Sequence, residues 1–124
     1  LWTLNSMYEL RHYDGFEHIG HPTSSYRMSE DTARILKHGY YASVSYIDAL
    51  VGDLVNHLKE LEIYENTIII IWGDHGWKLG DHNSWGKMTN YNIALQVPLI
   101  IRYPGQKLRD SETYAITELV DNFA

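Results

Sequence analysis

Thr67-Ile68-Ile69-Ile70-Ile71-Trp72-Gly73-Asp74-His75-Gly76 decides how this 124-residue chain folds. Its first half is an unbroken run of β-branched and aromatic residues without polar alternation. Such a run predicts a strand covered on both faces, as in a parallel sheet flanked by helices. Its second half stops the strand with two glycines and sets an acid and an imidazole between them. Open α/β sheets keep their ligand sites at the carboxyl ends of strands, and the glycines permit a sharp turn and close backbone approach.

Upstream of this stretch the pattern is helical. Ala33, Leu36, Tyr40, Val44, Ile47, Val51, Leu54, Leu58 and Leu61 recur at spacings of three and four, so Glu30 to Leu61 predicts one helix with a single apolar stripe. Ser29 is its predicted N-cap, with Glu30 and Asp31 near the positive end of the dipole. Gly39 and Gly52 each weaken it by about 1 kcal/mol relative to alanine. A bend or break is expected near His38-Gly39, and Asn66 marks a turn before the strand. Downstream, Val97 to Tyr103 predicts a second strand with Pro98 near its start, where a missing N–H is tolerated, and Pro104-Gly105 closes it. A further element is expected over Ala115 to Ala124. Residues 1–29 are loop-like, with turn signals at Asp14-Gly15, Gly20 and Pro22 to Ser25. The expected organisation is therefore α/β, in four parts: loop-rich 1–29, helix 30–62, strand-loop-strand 67–103, then a loop and an unfinished element over 104–124.

Composition removes several classes of function. A hydrophobic fraction of 44% suffices for a buried core. The net charge is −6 and no basic stripe interrupts it, so no nucleic-acid partner is expected. No cysteine is present, which excludes disulfides, thiolate metal sites and a cysteine nucleophile in these residues. No apolar run reaches the length of a membrane span, so no membrane partner is expected. The start at Leu1 lacks both an initiating Met and the basic n-region of a signal peptide, and reads as an internal point of a longer protein.

Asp74 offers a hard oxygen to a divalent cation and His75 a nitrogen. Taken alone, the pair is better read as a turn-capping acid beside a surface or core histidine. The following loop changes the weighting. Between the two strands it holds Lys78, Asp81, His82, Asn83, Ser84, Lys87 and Asn90 with two tryptophans. Loops at such sheet edges carry function more often than packing. A cation beside Lys87 makes a site for an anionic ester, both positive groups withdrawing charge from the leaving anion.

Gly73 to Lys87, reading GDHGWKLGDHNSWGK, resembles the second signature region of the sulfatases, within the alkaline-phosphatase superfamily. Thr89 to Ala94, Val97 to Ile101, and the upstream Gly39 to Asp48 with Val51-Gly52 extend the likeness over about residues 36–123. The similarity is to the branch of iduronate-2-sulfatase and choline-sulfatase type. It implies an alkaline-phosphatase-like sandwich, a mostly parallel sheet flanked by helices, of which this chain is a segment. It also implies that Asp74 and His75 are two ligands of a divalent cation, usually calcium, and that Lys87 contacts the sulfate group. Chemistry alone would admit manganese or zinc as well. His82 either approaches the leaving group or orders the loop, while Trp77 and Trp85 pack the loop onto the sheet edge. The setting implied is periplasmic, secreted or lysosomal.

The likeness is incomplete. Sulfatases use a formylglycine made from a Cys or Ser in a C/S-x-P-x-R motif. Pro22, Pro98 and Pro104 are preceded two positions earlier by Gly20, Gln96 and Arg102, so no such motif occurs. The family's adjacent pair of metal-binding aspartates is also absent. The nucleophile and half the cation's ligands are therefore expected from the remainder of a parent sulfatase, and residues 1–124 alone are expected to be inactive. The implied partner is a sulfate ester, with a sulfated saccharide as the branch's suggestion. Two rivals remain: a phosphate or phosphonate ester hydrolase on the same scaffold, and a domain holding a cation without turnover. Arg11, His12, His18, His21 and Arg27 near the start read as surface loop and receive no role.

Overall fold

In the computed structural model, which describes residues 7, 9–17, 19, 27–107 and 111–118, the helical stripe forms one uninterrupted helix, α1 (Glu30–Glu60). Ser29 caps it as expected: its backbone is extended and its hydroxyl accepts from the Thr32 N–H at 3.2 Å. The expected break at His38-Gly39 does not occur. Penalties of about 1 kcal/mol at Gly39 and Gly52 are small against a 31-residue cooperative helix. The far end closes in a Schellman motif, with Ile63 N–H bonding to Leu58 O and Glu62 N–H to Lys59 O. Glu62 takes the left-handed position at φ 58°, where glycine is the usual occupant.

A 3₁₀ turn (Tyr64–Asn66) leads into β1 (Ile69–Trp72), which is shorter than the apolar run. Thr67 is diverted from it, its N–H bonding to Tyr64 O and its hydroxyl to Ile63 O. The chain then forms a small hairpin of β2 (Lys78–Leu79) and β3 (Trp85–Gly86), a short helix α2 (Asn92–Leu95) and β4 (Leu99–Arg102).

β4 pairs with β1, in the register Ile69↔Arg102 through Trp72↔Leu99, and the pairing is antiparallel. This corrects the expected parallel arrangement for these two strands. The intervening segment turns back through α2 instead of crossing over the sheet, and an antiparallel neighbour follows from that return. The expected burial on both faces is also not found among the described residues. Ile69, Ile70 and Ile71 are half-buried and Trp72 is exposed. Val51, Leu54 and Val55 of α1 face this strand across an open apolar groove of about 320 Å³. Residues 111–118 carry no regular secondary structure, and the rest of the element expected there lies outside the described residues.

Arg102 ties β4 to the preceding turn. Its guanidinium donates to Thr67 O at 2.8 Å, to Glu65 Oε2 at 2.6 Å and to Tyr64 O, and lies 4.0 Å from the Tyr64 ring centre. The buried core sits elsewhere, where Met7, Leu10, Ile19 and Trp85 meet, flanked by Phe16, Met28, Ala33, Leu36, Trp77 and Leu79. The described part of the N-terminal region, read as a surface loop, thus supplies half of a core that closes on the β2–β3 hairpin. Its 3₁₀ turn (Glu9–His12) places Leu10 inward.

Candidate metal and anion site

Two backbone bonds pin the Gly73-Asp74-His75-Gly76 loop. Gly73 N–H donates to Pro98 O at 3.1 Å, carrying the β1–β4 ladder one step further, and Gly76 N–H donates to Ala94 O at 3.0 Å. At Gly76 the approach is so close that a Cβ would lie 1.9 Å from the Ile93 carbonyl oxygen. Only glycine fits there. Asp74 and His75 are consequently held out from the strand end with their side chains exposed.

Lys87 reaches this loop from the position just after the far strand of the hairpin. Its ammonium lies 3.6 Å from Asp74 Oδ2, an ion pair longer than a hydrogen bond. The Lys87 ammonium is the main reason that the Asp74 carboxyl sits below the ordinary carboxylate range; slight desolvation opposes it, and the His75 N–H and ring reinforce it. Asp74 is therefore ionised and directed at a cationic centre. The structure thus brings together Asp74 and Lys87, with His75 next in the chain.

His82 is placed differently. It stands in the 3₁₀ turn Asp81–Asn83 at the hairpin tip, with φ 52°, in the left-handed region that non-glycine residues seldom adopt. Gly80 at φ 111° opens this turn, and Leu79 N–H bonds to Asp81 Oδ2. The imidazole stacks on Tyr91 at 5.0 Å between ring centres. The two rings share an open pocket of about 470 Å³ with Asp81, Asn90, Asn92 and Ile93. Asp74, His75 and Lys87 do not line it. Trp85 is almost fully buried in the core, and Trp77 packs beside it.

Asp74 and His75 fit a divalent cation as a partial donor set: one ionised carboxylate and one accessible imidazole at the same turn. Among the described residues no group of three or more His, Cys, Asp or Glu side chains gathers. Further ligands would have to come from elsewhere.

Lys78 and Thr89 carry no signal of a role in the sequence. Lys78 is wholly buried, and its Nζ donates to Thr89 Oγ1 at 2.9 Å. Burial pushes its ammonium below the usual lysine range, with Asp81 pulling the other way. Nothing in the alternation Trp77-Lys78-Leu79 marks a lysine as inward, because a solvent-facing lysine between two apolar neighbours reads the same.

Comparison with known proteins gives this geometry a family context. The sulfatase family profile matches residues 15–124. Mouse iduronate 2-sulfatase is 44% identical over 79 residues, which is 64% of this chain and 14% of that protein. Choline-sulfatase of Rhizobium meliloti is 33% identical over 81 residues, 65% of this chain and 16% of that protein. N-acetylglucosamine-6-O-sulfatase of Bacteroides thetaiotaomicron is 38% identical over 82 residues, 66% of this chain and 15% of that protein. The chain spans about a seventh of the length of the curated relatives it matches.

Proposed function

The chain belongs to the sulfatase family, and from that premise we propose that it supplies one half of a sulfuric-ester hydrolase site. The sheet and helices are then a part of the α/β fold that this family implies, with the mostly parallel portion of the sheet formed by strands outside those described. In this reading Lys87 binds the sulfate group, and Asp74 and His75 hold a divalent cation, calcium by family resemblance. When bound, the cation withdraws charge from the sulfate oxygens. Lys87 adds a second positive charge from the protein side, at a place where charge develops on the leaving anion. His82 acts at the leaving-group side or orders the hairpin tip on which it stands.

The observation that carries this reading is the 3.6 Å approach of the Lys87 ammonium to the Asp74 carboxylate. An anion bridging a cation at Asp74 and an ammonium at Lys87 would replace that direct ion pair with two favourable ones. Residues 1–124 contain no C/S-x-P-x-R motif and no Asp-Asp pair. The formylglycine nucleophile and the remaining ligands therefore come from outside them, and these residues alone have no sulfatase activity. A sulfated saccharide is the substrate class proposed, the class named in the iduronate and N-acetylglucosamine relatives.

Assay of the full protein on sulfate and phosphate monoesters side by side tests this. Sulfate turnover is expected, with Lys87→Ala lowering it by on the order of 10²–10³-fold. Turnover of phosphate alone would replace the reading with a phosphate ester hydrolase. No turnover of either, with cation binding intact, would leave a non-catalytic cation-binding domain.

A further inference from the structure

Lys78 stands opposite Gly86 in the β2–β3 pair, one residue before Lys87. Its ammonium bonds to the Thr89 hydroxyl at 2.9 Å, inside the protein. Thr89, itself buried, donates its backbone N–H to the Lys87 carbonyl at 2.6 Å. Lys87 is thus bracketed from both sides by one residue: the strand pair holds the position before it, and the ammonium holds the position two after it.

A lysine reads an anion as a point charge on a flexible four-carbon stem, so its accuracy depends on how well its Cα is fixed. A buried ammonium is an expensive brace for a hairpin, because desolvation penalises the charge. A methionine of similar length would fill the same space without that penalty. The hydrogen bond to Thr89 is one contribution that methionine cannot supply.

We propose that Lys78 is a positioning residue for Lys87, acting through Thr89 to hold the Lys87 backbone at the anion site. The role of Lys87 itself rests on the function proposed above; the tether does not. Three variants of the full protein test it: Lys78→Met, Thr89→Val and Thr89→Ser. Each is read by affinity for inorganic sulfate and by amide hydrogen exchange. Lys78→Met and Thr89→Val should each weaken sulfate binding about tenfold, the size of one lost charge-assisted hydrogen bond. The double variant should be no weaker than Lys78→Met alone, because that substitution already removes the bond that Thr89→Val removes. Thr89→Ser keeps the hydroxyl and should bind like the unaltered protein.

Exchange at residues 86–89 should quicken in Lys78→Met and Thr89→Val while α1 keeps its protection. That measurement is independent of turnover, so a protein without sulfatase activity would remove the function and still report on the tether. Should Lys78→Met fail to fold, the Thr89→Val and Thr89→Ser pair carries both readouts. Unaltered exchange at 86–89 in the folded variants, or additive losses in the double variant, overturns the proposal.

Discussion

Lys87 and Asp74, thirteen positions apart in sequence, meet as an ion pair of 3.6 Å at the end of a strand to which only Asp74 is directly joined. The pair exists because two separate devices converge: a glycine-bounded turn pinned to α2 and Pro98, and a hairpin anchored in the core by Trp85.

The first consequence concerns protonation. The Asp74 carboxyl is held low chiefly by the Lys87 charge, so Lys87→Ala should raise its pKa toward the ordinary value, measured by NMR titration in cation-free protein. A depressed carboxyl stabilises the fold above its unfolded pKa and loses that contribution as pH falls through its folded pKa. Because the Asp74 carboxylate is exposed, that contribution is screened, and Lys87→Ala should leave the melting temperature at neutral pH nearly unchanged. An Asp74 pKa unmoved by the substitution would show that Lys87 is not its dominant neighbour.

Gly76 should tolerate no side chain. A methyl group there would meet the Ile93 carbonyl oxygen at 1.9 Å, and relief of that clash must move the backbone that also carries the Gly76–Ala94 bond. Gly76→Ala is expected to destabilise by roughly 1–3 kcal/mol, read from urea denaturation. A neutral effect would mean that the loop relaxes freely.

Lys78 makes the opposite prediction to Asp74. Its ammonium is depressed by burial, so the unfolded state binds its proton more tightly, and stability rises as pH climbs through the folded pKa toward the unfolded value. Lys78→Met removes that slope. The stability difference between the two proteins should therefore shift in favour of the unaltered one as pH rises through the lowered folded-state pKa toward about 10.4, the model-peptide lysine pKa. A difference constant with pH would contradict the burial penalty.

Removing the Arg102 guanidinium should loosen the turn before β1. Its bonds to Tyr64, Glu65 and Thr67 are replaced by water in Arg102→Ala, and a loss of about 2 kcal/mol is expected from hydrogen bonds to a charged group. Exchange of the β1 amides should quicken in step.

Chelation of divalent cations should abolish sulfate-ester turnover by the full protein, and calcium should restore it. In Asp74→Ala, calcium should no longer restore turnover at concentrations that rescue the unaltered protein. Restoration as easy as before would remove Asp74 from the cation site.

Much of the local structure was legible in advance because it depends on neighbours in sequence. The α1 stripe and the Ser29 cap follow from spacing three and four and from one hydroxyl beside an open helix end. The strand positions of Ile69 to Trp72 follow from β-branched crowding. The four residues from Gly73 to Gly76, with Lys87, pointed to a cation and an anion by chemistry and to sulfatases by resemblance, and the family profile bears out the family.

Sequence by itself therefore determined α1 with its Ser29 cap, the places of β1 and β4, the family and the residue types available at the strand end, most of which are set within a few turns of chain. Tertiary structure decided the direction of β4, the inward course of Met7 and Leu10, and the burial of Lys78. Each depends on which distant surface a residue meets, and periodicity carries no information about that. The meeting of Asp74 with Lys87 belongs to the same class: its residues were visible in the chain, and its 3.6 Å separation depends on how the hairpin and the glycine turn are held.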